Sequence, residues 1–283
     1  MLIEPQVQSW ETVVPVESPS GSTDSLPLFV ARPFEAASSA SSASSALPTS
    51  SALPTSAARP ALVLIQEAFG VNEHIRDLCC RYARQGYVVV SPDLYHRSGE
   101  WQRFDYTDFA STLPAMGRLT EADVLADLQA AFQFLAELEG VDASRLGMLG
   151  YCLGGRLSYL GAAAFPDRLK AVAVYYGGGI VSEHPAEGFA SVPSARTAQI
   201  RAPLIAFFGG QDASIPRETV EQIDRALEEA QVPHQVVLYP EAGHGFFCDA
   251  RQSFSPPAAE DAWHRTLRWF EAALGPIPEV TWA

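Results

Sequence analysis

The chain has 283 residues, 47% of them hydrophobic, and its 33 acidic against 19 basic residues give a formal net charge of −14. That balance leaves no basic stripe of the kind phosphate binding requires, which sets nucleic acid aside as a partner, and no apolar run is long enough to span a bilayer. Lys170 is the only lysine and follows no glycine-rich loop, so Schiff-base and P-loop chemistry have almost no residue to use.

In chain order, weak alternation at 12–16 predicts an edge strand and 26–31 a second strand. Residues 35–59 are almost entirely Ala, Ser, Pro and Thr, with Ser-Ala-Leu-Pro-Thr-Ser at 45–50 and again at 51–56. Such a segment buries too little apolar surface to offset its ordering entropy, so it reads as a disordered insertion within one domain spanning 1–283. Strict β/α alternation follows. A buried strand covers 61–66, and a helix capped by Asn72 runs to Gln85 and stops before Gly86. A strand at 87–91 leads into a long aromatic-containing excursion at 93–119. A helix over 120–139 has Thr120 as N-cap with Asp123 three residues on. Strands at 146–149, 170–175, 202–208 and 236–239, a loop excursion at 177–200, and helices at 217–230 and 258–274 complete the pattern. The fold class is α/β, a mostly parallel doubly wound sheet flanked by helices.

The most informative stretch is Gly150-Tyr151-Cys152-Leu153-Gly154-Gly155, which separates the strand at 146–149 from an amphipathic segment beginning at Arg156. A nucleophile lifted on a sharp strand-to-helix turn needs small neighbours two residues before and after, and Gly150 and Gly154 supply them. The helix N-terminus behind it favours a thiolate. Such a nucleophile needs a base and an orienting acid, in the order nucleophile, acid, histidine. Asp212 follows the strand at 202–208, and His244, between two glycines, follows the strand at 236–239. Each candidate thus stands just past the carboxyl end of its own strand, where functional groups collect in open parallel sheets. Cys79, Cys80, Cys152 and Cys248 match no metal-ligand spacing and no disulfide framework; no metal or other cofactor is expected. Cys79 and Cys80 read as packing residues, and Cys248 stands open between the pocket and simple burial. Reduced thiols and the lack of a basic, apolar N-terminal signal point to the cytoplasm.

These motifs, with Gln66-Glu67-Ala68-Phe69-Gly70, Ser91-Pro92-Asp93-Leu94-Tyr95, Tyr175-Tyr176-Gly177, Gly209-Gly210-Gln211-Asp212 and Glu241-Ala242-Gly243-His244, resemble the dienelactone hydrolase family of α/β-hydrolases over about residues 25–275. Cysteine at the elbow is the sharpest match. The resemblance implies that Cys152 attacks a carbonyl carbon, His244 holds and returns the proton, and Asp212 fixes the imidazole tautomer. It implies that Glu67 lies near the sulfur, keeps the resting thiol neutral by like-charge repulsion and accepts its proton. The oxyanion hole would be the backbone N–H groups of Ala68 and Leu153.

The substrate implied is a small ester or lactone of the carboxymethylenebutenolidase type, cleaved through a thioester intermediate. A departure stands at position 248, where dienelactone hydrolases proper carry a carboxylate-binding arginine and this chain has Cys248. Arg251, Arg97, Arg103 and Arg118 are the alternatives for such a clamp, while Phe69, Trp101, Tyr176 and Phe246 are candidates for an apolar lining. A general carboxylesterase or thioesterase of the same fold is the alternative function. A non-catalytic small-molecule binding module is disfavoured by the intact Cys152, Asp212 and His244. A nucleotide-binding Rossmann protein fails because Gln66-Glu67-Ala68-Phe69-Gly70 stands where a G-x-G-x-x-G would be required. Monomer and weak dimer both remain open.

Overall fold

The computed structural model describes residues 6–18, 21–34 and 58–278. One eight-stranded sheet organises them, in the order β1 (Val7–Glu17), β2 (Thr23–Pro33), β4 (Val88–Pro92), β3 (Arg59–Ile65), β5 (Val141–Tyr151), β6 (Ala171–Tyr175), β7 (Leu204–Gly209) and β8 (His234–Tyr239). The β1/β2 and β2/β4 pairs are antiparallel, and every other pair is parallel. Burial follows position: β3, β4, β6 and β7 are buried at every residue, whereas the edge strand β1 alternates. Strands covered on both faces read as continuous apolar runs, which is why the interior of this sheet shows so clearly in sequence.

Between the strands lie α1 (Glu73–Arg84), α2 (Leu113–Met116), α3 (Glu121–Glu137), α4 (Leu153–Ala164) and α5 (Arg217–Glu229), and α6 (Pro256–Leu274) follows the last strand. Two successive residues of β5 show that helices cover both faces. A Cβ built on Gly147 would meet Phe270 and Leu274 of α6, whereas Met148 reaches Gly161 of α4. Successive strand residues point to opposite faces, so α4 and α6 are on opposite sides of the sheet. Asn72 caps α1 by accepting from the Ile75 N–H at 3.2 Å, and Thr120 caps α3 by accepting from Asp123 at 3.1 Å. No helix among the described residues is long and apolar enough to cross a membrane.

The expected insertion falls at 35–57 outside the described residues, and its far boundary needs correcting. Arg59 opens β3, pairs with Val141 and sends its guanidinium to the carbonyls of Gly86 and Pro278 at 3.4 and 3.2 Å. The charge and the following Pro60 hid the start of the strand. The excursion at 93–119 holds two short 3-10 turns, His96–Ser98 and Phe109–Thr112, before α2.

Candidate active site

β5 ends at Tyr151 and α4 begins at Leu153, so Cys152 alone makes the turn, at φ 56° and ψ −114°. A non-glycine residue there costs on the order of 1–3 kcal/mol and persists only where its surroundings enforce it. The enforcement is close backbone packing. A Cβ on Gly150 would lie 2.2 Å from the Gly154 carbonyl oxygen, and one on Gly154 would lie 2.4 Å from that of Ile65. The Cys152 N–H donates to Tyr175 O at 3.0 Å, which ties the turn to the neighbouring strand.

His244 Nε2 stands 3.1 Å from Cys152 Sγ, and its Nδ1 stands 2.6 Å from Asp212 Oδ2. Burial opposes protonation of the imidazole, but hydrogen bonds to Asp212 and Cys152 outweigh it and raise His244 to about 10. Burial works against the Asp212 charge too, and the His244 hydrogen bond, helped by Ser214, prevails and lowers its pKa. The other carboxylate oxygen of Asp212 accepts from Ser214 N at 2.9 Å and Ser214 Oγ at 2.5 Å, so Oδ2 is left facing the ring. This Asx turn, Asp212-Ala213-Ser214, was readable as a turn motif but was not singled out from sequence. The Gln211 amide donates to Pro240 O at 3.1 Å and joins the acid loop to the histidine loop.

A cavity of about 490 Å³ opens over the sulfur, lined by Cys152, Leu153, Arg156, Asp212, Ser214 and His244, with Phe109 and Met116 as its apolar wall. Leu153, first residue of α4, has an N–H with no partner inside the helix. Ala68 lies in the turn after β3, which the Gly154 contacts with Ile65 and Gln66 hold against the elbow, and its carbonyl accepts from the Tyr95 hydroxyl at 3.0 Å.

Glu67 is fully buried and neither carboxylate oxygen has a hydrogen-bond partner; its counter-ion is Arg251, at 3.6 Å. The group hydrogen-bonded to Cys152 Sγ is His244. Burial and then the charge of Glu67 push the buried Cys248 up to about 11. Arg251 also lies over the rings of Phe69 and Tyr106, at 5.5 and 5.6 Å. Gly245, at φ 73°, is what lets it in, because a Cβ there would sit 2.3 Å from the guanidinium.

Several expected lining residues lie elsewhere. Arg97 binds Asp127 at 2.9 Å, Asp24 at 3.0 Å and Asp123 at 3.5 Å, a cation required by the fully buried Asp127. Trp101 stacks under the Arg76 guanidinium at 4.7 Å and donates its backbone N–H to Asp93, apart from the cavity lining. Arg103 pairs with Glu73, and Arg118 is exposed. Phe69, Tyr176 and Phe246 are buried behind the lining: Phe69 has its ring 6.2 Å from Phe109, Tyr176 lies 5.2 Å from the His244 ring, and Phe246 lies 5.3 Å from Tyr176. Phe109, Met116, Arg156 and Ser214 line the cavity without having been singled out from sequence. Arg156 left a signal as the single charged residue in α4, and Ser214 as the end of the Asx turn at Asp212. Among the described residues, no group of three or more His, Cys, Asp or Glu is arranged to hold a metal ion.

A mostly parallel sheet carrying a strained residue at a strand-to-helix turn, with a histidine and an aspartate delivered from later strand ends, defines an α/β-hydrolase. The sequence profile of the dienelactone hydrolase family matches residues 47–274. A carboxymethylenebutenolidase-type protein of Synechocystis sp. is 40% identical over 76% of this chain and 87% of its own length. One of Escherichia coli is 38% identical over 75% and 76%. The crystal structure of a dienelactone hydrolase-type protein from Klebsiella pneumoniae superposes with a TM-score of 0.76 at 34% identity, covering 93% of this chain and 98% of that one. The chain belongs to the dienelactone hydrolase family, and as a member it is a hydrolase acting on carboxylic ester or lactone bonds.

Proposed function

We propose that the protein hydrolyses a small carboxylic ester or lactone of the carboxymethylenebutenolidase type, with Cys152 as nucleophile, His244 as acid and base, and Asp212 as the group that orients His244. The observation that carries this reading is the line from Asp212 Oδ2 through His244 to Cys152 Sγ, at 2.6 and 3.1 Å, ending on a strained elbow in the floor of the cavity. The Cys152 thiol gives its proton to His244 as sulfur attacks the carbonyl carbon, and the negative charge developing on oxygen is met by the N–H groups of Leu153 and Ala68. His244 gives its proton to the departing alkoxide, leaving a thioester. Water then adds as His244 takes its proton, and carboxylate and thiol are released. Glu67, buried and paired with Arg251, is carried in this scheme as the carboxylate that the resemblance sets near the sulfur.

Hydrolysis of aryl esters and enol lactones by the wild type and by Cys152→Ala tests the assignment. Loss of turnover by at least about a thousandfold in a folded variant supports it, since removing one member of such a unit disables the whole. Retained activity refutes it. A general esterase or thioesterase substrate is the second reading. The apolar wall of Phe109 and Met116 favours it, because it grips any acyl chain without reading its polar groups. Four free cysteines suit a reducing compartment such as the cytoplasm.

A further inference from the structure

The short helical stretch before α3 has its polarity inverted. It buries Thr112 completely and leaves Ala115 3% exposed, yet holds Phe109 and Leu113 in solvent at 49% and 52% exposure. An amphipathic turn with no ligand to serve would bury the large apolar side chains and expose the hydroxyl. Local polar groups fix the inverted arrangement. Asp108 accepts from Ser111 N at 3.2 Å, the Thr112 hydroxyl donates to Phe109 O at 2.7 Å, and Gly117 N donates to Leu113 O at 2.8 Å. Phe69, buried behind, braces the Phe109 ring edge to face at 6.2 Å.

Phe109, Leu113 and Met116 follow the i, i+4, i+7 spacing that places side chains in one stripe. Both ends of that stripe, Phe109 and Met116, line the cavity over Cys152, which sets Leu113 at its mouth. A single exposed apolar side chain is ordinary, whereas neighbouring ones on the rim of a cavity mark a binding surface. The cavity, at about 490 Å³, lies in the range that takes drug-sized ligands and has room for more than a small ring. We propose that Phe109 and Leu113 determine specificity by carrying an alkyl or aryl tail of the substrate out of the cavity, so that the enzyme prefers amphiphilic esters to short ones. This deepens the function proposed above and rests on Cys152 being the nucleophile. Continuity with the cavity that holds the sulfur favours substrate over a protein partner as the occupant of the stripe.

N-alkyl iodoacetamides bearing ethyl, butyl, hexyl and octyl groups read this surface without turnover, with peptide mass spectrometry to separate label on Cys152 from label on the half-buried Cys80. Full burial of a methylene is worth about fourfold, and a surface covering one side of the chain should give about twofold, so the rate at Cys152 should climb about sixteenfold from butyl to octyl. Phe109→Ser combined with Leu113→Ser should cut that climb to about fourfold or less, and Leu113→Phe should preserve it. Both side chains are half in water, so the substitutions cost little stability. In turnover, kcat/KM should climb likewise in a series of esters lengthened in the acyl part or in one lengthened in the alcohol part, and the double variant should flatten it. Equal rates across the reagents, neither ester series climbing, or a climb that the double variant leaves intact overturns the proposal. So does a wild type that dimerises in sedimentation while the double variant stays monomeric with its chain-length dependence unchanged, which would make the stripe an interface between copies of this chain. Hydrolysis that survives Cys152→Ala removes the nucleophile assignment and this proposal with it, whereas a flat series with turnover lost in Cys152→Ala defeats the proposal alone.

Discussion

Replacing Arg251 with Met should cost more stability than any surface substitution, because it strands the Glu67 carboxylate. Glu67 has no exposure and no hydrogen bond, and Arg251 is its ion-pair partner at 3.6 Å. Breaking a buried pair from one side costs about 3–5 kcal/mol, whereas replacing both partners with uncharged groups of similar volume is nearly neutral. With an unfolding entropy of about 2.1 cal/mol/K per residue, a chain of this length changes by about 0.6 kcal/mol per degree near Tm. The single variant should therefore melt about 5–8 °C lower. Glu67→Gln combined with Arg251→Met should recover most of that loss. Thermal unfolding at neutral pH and one scan rate, on the wild type, both singles and the double, measures the coupling. A shift under about 1 °C for Arg251→Met, or a double variant no better than the single, would refute the pairing as the reason these two charges are buried.

Other expectations follow from particular contacts. Gly154→Ala drives a Cβ to within 2.4 Å of the Ile65 carbonyl oxygen; it should lower kcat by about 10²-fold by moving the turn that carries Ala68 away from Leu153, a loss on the scale of one oxyanion donor, seen in steady-state kinetics. His244 is raised from its ordinary 6.5 to about 10, so its contribution to stability is full below about 6.5 and lost as pH rises through about 10. The Tm difference between wild type and His244→Gln should narrow over that window, and a difference constant from pH 6 to 11 would contradict the ion-paired geometry. Deleting 36–57 should leave Tm and turnover nearly unchanged. The end of β2 and the start of β3 are separated by β4 alone, about 10 Å at two strand spacings, which the residues left between them span when extended. A large loss of Tm in that deletion would mean the segment contributes to the folded core.

The sheet was legible because four strands are buried throughout and read as apolar runs, and the elbow because backbone crowding admits only glycine at 150 and 154. Cys152, Asp212 and His244 were legible for a related reason: each follows its own strand directly, so chain order carried the spatial information. What sequence withheld depended on distant partners. Arg97 looked available for a ligand until Asp24, Asp123 and Asp127, from two other parts of the chain, surrounded it. Glu67 gave no sign of its counter-ion, because Arg251, which pairs with it, lies far along the chain. Phe109 and Met116 lie in an excursion without a sustained periodic pattern, and only the folded chain brings them over Cys152.

The most direct test of the account is to look for the acyl-enzyme. A slowly hydrolysed aryl ester, quenched in acid within the first turnover and digested, should leave the acyl group as a thioester on the peptide containing Cys152. His244→Gln should form it more slowly, and Cys152→Ala not at all. An acyl group found on Ser158, Ser214 or another side chain, or hydrolysis at full rate by Cys152→Ala with no adduct, would contradict the assignment of Cys152 as the nucleophile.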